Sequence, residues 1–114
     1  AGSAVLLRGS ATGLTTAKAA GYTQDTADVP GAAETGDQFG ASVHLADLDK
    51  DGKAETVVGV PTENNDGCLW IARGSTTGPV LRGSAALCGK SAGITVRGVK
   101  GYFGAALTSP HIAF

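Results

Sequence analysis

The chain contains no methionine, so a polypeptide beginning at Ala1 is not a raw translation product; processing, or excision from something longer, is expected. Aromatic residues make up only 5% of it, which leaves the core to Val, Leu, Ile and Ala within an apolar fraction of 42%. No run is long and apolar enough to cross a bilayer, and membrane insertion is not expected. Acids are missing from the whole second part: all ten lie at or before Asp66, while Arg73, Arg82, Lys90, Arg97 and Lys100 follow it. A solvated surface with a local basic face accounts for this, and a net charge of −1 argues against nucleic acid or an anionic membrane as the main partner. A sustained helical period is also missing, because Gly and Thr interrupt each apolar stretch.

Cysteine is scarce but even in number. Cys68 and Cys88 could form one disulfide in an oxidising compartment, closing a loop of about 20 residues; two buried thiols are the alternative. No further Cys or His stands at ligand spacing, so a zinc site is not expected. What is abundant is glycine, 18 in a chain of 114 residues, enough for one domain. Glycine at this density between short apolar runs means many tight turns and hence short strands.

The chain repeats itself. "LLRGSATGL" (6–14) returns as "IARGSTTGP" (71–79), shifted by 65 residues, and "DQFGASV" (37–43) returns as "GYFGAAL" (101–107), shifted by 64. A period of this length is a signature of stacked supersecondary units. Between the repeats, "ASVHLADL" alternates, "ETVVGVP" is β-branched and "CLWIARG" is apolar, and all three read as strands. "KAAGYTQ" in the first unit, and "SAALCG" or "GITVRG" in the second, are weaker candidates for a fourth strand. Four strands per period make one antiparallel propeller blade.

The segment "FGASV…DLDKDGKAETVVGVP…GCLWIARGSTTG" resembles the FG-GAP repeat of integrin α-subunit propellers and of many secreted bacterial proteins, and "QDTADVPGAAETGDQFG" resembles the linker between blades in the bacterial branch. Phe39-Gly40 matches the family's FG, and Gly59-Val60-Pro61 stands where the family has Gly-Ala-Pro. The resemblance implies an all-β fold, a β-propeller segment of about two four-stranded antiparallel blades, incomplete on its own. Residues 1–36 would be the last strands of one blade and a linker, residues 37–100 a complete blade with a calcium loop, and residues 101–114 the first strand of a third. That is about 1.75 periods, against roughly 4 to 8 blades in closed propellers. Open strand edges and exposed apolar faces are therefore expected. The remaining blades would come from another chain, from missing sequence, or from copies of the same chain.

"DLDKDGKAE" (47–55) places acids at Asp47, Asp49, Asp51 and Glu55. With the Lys53 carbonyl they make a 1-3-5-7-9 set of hard oxygen donors, and Gly52 permits the sharp turn. Oxygen donors without His or Cys favour Ca²⁺. An EF-hand does not fit, because its twelfth position falls on Val58 and the flanks read as strands. The FG-GAP family has a strand–loop–strand calcium site of this shape, although it usually ends the loop with Asp, where this chain has the longer Glu55. Shifted by the period, Asp47 falls on His111 and Asp49 on Ala113, so one calcium per chain is expected. Four carboxylates and a carbonyl could saturate the ion, which makes it structural.

Catalytic signatures are absent or accidental. "GKSAG" (89–93) matches Gly-x-Ser-x-Gly, but no acid follows Ser91 to complete a triad. Gly83 and Gly89 are separated by five residues where a P-loop needs four. His44 and His111 have no companion at a general-base spacing, and Trp70 and Phe103 are expected to pack. The expectation is a secreted, non-catalytic, calcium-stabilised recognition or assembly segment with a protein ligand. "ENND" (63–66) and "TTGPVLR" (76–82) are its candidate contact loops. The resemblance also allows the propeller portion of a secreted hydrolase whose catalytic residues lie elsewhere.

Overall fold

The computed structural model describes residues 2–31, 36–63, 67–89 and Leu107. Its regular elements are all strands: β1 (Ala4–Ser10), β2 (Gly13–Tyr22), β3 (Ser42–Ala46), β4 (Glu55–Val60), β5 (Cys68–Ser75) and β6 (Gly78–Cys88). They form two antiparallel sheets, a two-stranded β1–β2 and a four-stranded meander β3–β4–β5–β6, with neither sheet closed. Two open antiparallel sheets of two and four strands fit an incomplete propeller segment. The strand candidate "GITVRG", Ser91 and, apart from Leu107, the unit from residue 101 with its Phe103 and His111 lie outside the described residues.

Strand limits follow from local chemistry. β4 is a run of Thr56, Val57, Val58 and Val60 rather than an alternation, and Val57, Val58 and Val60 are all buried, as a central strand covered on both faces requires. It stops before Pro61, which has no amide to give a ladder. β3 ends at Ala46, two residues short of the expected "ASVHLADL", because Asp47 and Leu48 already belong to the acidic loop. β6 is the largest departure. It runs over eleven residues from Gly78, so the expected contact loop 76–82 is mostly strand, and only the β-turn at Thr76 and Thr77 is free of the ladder. A bulge between Ile71 and Arg73 lets β5 and β6 stay paired right up to that turn.

The internal repeat is reproduced pair by pair. The β1–β2 register Ala4↔Tyr22, Val5↔Gly21, Leu6↔Ala20, Arg8↔Thr15, Gly9↔Leu14 and Ser10↔Gly13 becomes the β5–β6 register when 65 is added to every number, bulge included. The turns match as well: Ser10 Oγ donates to the Gly13 carbonyl at 2.7 Å, and Ser75 Oγ donates to the Gly78 carbonyl at 2.7 Å. Thus β1 and β2 are the counterparts of β5 and β6.

The core lies between the two sheets. Val58, Val60, Cys68, Trp70 and Ala72 present one face of the blade, and Ala4 and Tyr22 of the first hairpin pack against it. Trp70 sits between Tyr22 and Phe39, with ring centroids 6.0 Å and 5.9 Å away. One indole thus fills space that a chain so poor in aromatics cannot fill several times. The linker closes the outer end, with Val29 buried and Gln24 Nε2 donating to Glu63 Oε2 at 2.9 Å. Cys68 and Cys88 are directly opposite each other on β5 and β6 and form a disulfide.

The Phe-Gly pair has a physical reason. Phe39 is buried against Trp70, and Gly40 follows with φ of 90°, where a Cβ would overlap the Ser3 carbonyl oxygen. The pair therefore anchors the start of one blade directly on the backbone of the preceding hairpin.

Candidate metal centre

The acidic loop joins β3 to β4 and is held between two antiparallel strands, Ala46 opposite Glu55. Lys50, with φ of 62°, and Gly52, with φ of 88°, take left-handed conformations that turn the chain back on itself. The loop is thus a strand–loop–strand unit, and the EF-hand's twelfth position, Val58, is a fully buried core residue of β4.

Carboxylate oxygens of Asp47, Asp49 and Glu55 lie within 4.8 Å of one another. Oxygens each about 2.4 Å from a shared calcium ion can be at most roughly 4.8 Å apart, so this set has the dimensions of one such site. Asp47 and Asp49 are exposed, while Glu55 is only 5% exposed. The longer arm of Glu55 is explained by its position. As the first residue of β4 it lies deeper than the loop, and its carboxylate accepts the Leu48 amide at 2.7 Å and the Gly74 amide at 3.4 Å. It therefore ties the loop to the bulged end of β5. A Cβ on Gly74 would overlap the Ala54 carbonyl, so only glycine lets the two backbones approach this closely.

Backbone amides already converge on the other acids. Asp51 N donates to Asp47 Oδ1 and Asp49 Oδ1, both at 3.1 Å, and Gly52 N donates to Asp47 Oδ2 at 2.8 Å. Asp51 is outside the converging three, and its own Oδ1 accepts the Lys53 amide at 2.8 Å. Three of the four acids of the loop, Asp47, Asp49 and Glu55, converge.

The charges are unevenly tuned. Asp49 is held above the usual carboxylate value of 3.8, chiefly by loss of water around it, with the negative charges of Asp51 and Glu55 adding to the rise and the Asp51 amide opposing it. Asp51 is held below that value, first by the Lys53 amide, then by Asp49 and by the charges of Lys53 and Arg73. Part of that rise comes from like charges crowded in the loop. A divalent cation would relieve that crowding directly. The donor set is all oxygen and partly solvated, which fits Ca²⁺ better than a softer metal.

The amide of Gly74 and the proximity of Arg73 were not legible as parts of this site. Their signal was the Arg-Gly-Ser stretch of the repeat, whose bulge brings both to the loop. Glu63, an expected contact-loop acid, is buried and accepts the Gln24 side-chain amide; residues 64–66 lie outside the described part. His44 is a half-buried residue of β3, and Trp70 is core.

No curated protein and no solved structure matches the chain. Residues 39–71, from the buried phenylalanine through the acidic loop and β4 into β5, match the family model of the FG-GAP repeat.

Proposed function

We propose that the chain is a non-catalytic, calcium-binding segment of an FG-GAP β-propeller, of the integrin-like type found in secreted bacterial proteins, and that it serves extracellular recognition or assembly. The observation that carries the calcium reading is the convergence of Asp47, Asp49 and Glu55 within 4.8 Å, in a loop strung between two strands of the matched repeat. The ion's role is structural. Asp47 and Asp49 would hold it from the loop and Glu55 from β4, so that bound calcium offsets the acid repulsion and pins β3 to the end of β5. The disulfide between Cys68 and Cys88 supports an oxidising, extracellular setting. Recognition of a protein ligand would fall to loops at one end of the completed propeller.

Native mass spectrometry of the purified chain in calcium, repeated after chelation, tests this reading. One calcium ion per chain, removed by chelator and not replaced by magnesium at equal concentration, is the expected result. A chain that carries no calcium at millimolar concentration contradicts it.

A further inference from the structure

Among the described residues, Arg8 Nε, Gln24 Oε1, His44 Nε2 and Trp70 Nε1 are buried atoms with no hydrogen-bond partner in the protein. Arg8 and His44 are half-buried, and a small side-chain movement returns their nitrogens to solvent. Gln24 and Trp70 have no such escape, because they are only 5% and 2% exposed. A buried donor or acceptor left unbonded is destabilising enough that native structures satisfy nearly all of them.

Both side chains line one cavity of about 100 Å³ between the linker after β2 and the outer end of the blade. Its walls also include Phe39, Glu63 and both halves of the Cys68–Cys88 disulfide. The cavity belongs to the packing of the linker on the blade, and no residue of β1 or β3 lines it. It lies where β4 ends and β5 begins, at the opposite end of β4 from Glu55 and the acidic loop. Gln24 is fixed there: its Nε2 donates to Glu63 Oε2 at 2.9 Å, which leaves Oε1 as the unused acceptor. Gly31 has φ of 96°, and a Cβ on it would come within 3.0 Å of Gln24 Nε2, so the linker closes over this amide with a glycine.

Size and polarity together select the occupant. Pockets for organic ligands run from roughly 300 Å³ upward, so this one is too small. A water molecule takes about 30 Å³ and needs two to four polar partners, so there is room for about three. The partners suit water: an indole N–H that only donates, an amide oxygen that only accepts, and the carboxylate of Glu63, which is 7% exposed. We propose that the cavity is a hydration site, in which ordered water accepts the Trp70 indole N–H and donates to Gln24 Oε1 and to the Glu63 carboxylate. Water thereby joins the linker to the tryptophan at the centre of the core. The site is separate from calcium binding and from recognition, and depends on neither.

Trp70 is the one tryptophan of the chain, so its indole N–H gives a single assignable NMR signal from the isotope-labelled full chain. Laboratory- and rotating-frame Overhauser spectra should show a cross-peak from this proton to water, with the sign of a long-lived contact. The same proton should exchange with solvent at least about tenfold more slowly than that of free indole. Gln24→Met, which keeps the side-chain length and removes both polar atoms, should weaken the cross-peak about twofold or more. If that variant does not fold, the parent spectrum decides alone. A slowly exchanging indole proton with no cross-peak to water would show a dry cavity, and exchange at the rate of free indole would show open solvent; either overturns the proposal. A cross-peak unchanged in folded Gln24→Met would overturn it too. Loss of calcium binding would leave these results untouched, so the two readings fail separately.

Discussion

At the scale of single residues, Asp49 and Gly40 illustrate two kinds of necessity. Asp49 is in a loop whose acids repel, and its raised pKa means that the folded chain holds a proton there more tightly than the unfolded chain does. By linkage, the stability contributed by that proton is present below the ordinary value of 3.8 and lost as pH rises through the raised value. Near neutral pH the metal-free fold thus carries the full repulsion. Asp49→Asn should therefore raise the melting temperature in chelator and abolish the rise that calcium gives to the parent; thermal melts with and without calcium check both signs. Gly40 is needed for a different reason, its left-handed backbone against the Ser3 carbonyl. Gly40→Ala should destabilise the chain by about 1 kcal/mol or more, measured by urea unfolding, with calcium affinity of the folded fraction unchanged.

At the scale of elements, the hairpins carry the stability that a small aromatic content denies the core. The disulfide staples the open ends of β5 and β6, 20 residues apart in sequence. Replacing both cysteines by serine should cost roughly 3 kcal/mol in denaturant unfolding, without altering the β-sheet spectrum. Most strands were legible because their local chemistry agrees with their place: β4 is β-branched and bounded by an acid and a proline, and β5 begins and ends in Gly-containing turns. β6 was only partly legible. Its residues Gly78, Pro79, Arg82, Gly83 and Ser84 have low strand propensity, and pairing to β5 across the bulge overrides them. The spacing pointed to five donors in the acidic loop without saying which of them converge, and the grip of Gly74 on Glu55 depends on a tertiary approach that no local pattern encodes.

At the scale of the whole molecule, two sheets of two and four strands leave apolar side chains facing solvent: Val5, Leu14, Val43 and Leu45 are each more than half exposed. The incompleteness was legible from the repeat, because a 65-residue period placed on a chain of 114 residues leaves blades unfinished. What the sequence alone did not reveal is that the first hairpin packs on the blade's Trp70 face and leaves β3 bare, a result of how far β1 and β2 reach. The central claim, one structural calcium ion in the Asp47–Glu55 loop, meets its most direct test in a calorimetric titration of calcium into the metal-free chain and into its Asp47→Asn, Asp49→Asn double variant. Binding of one ion by the parent and none by the variant is the predicted outcome; no binding by the parent, or equal binding by both, would contradict it.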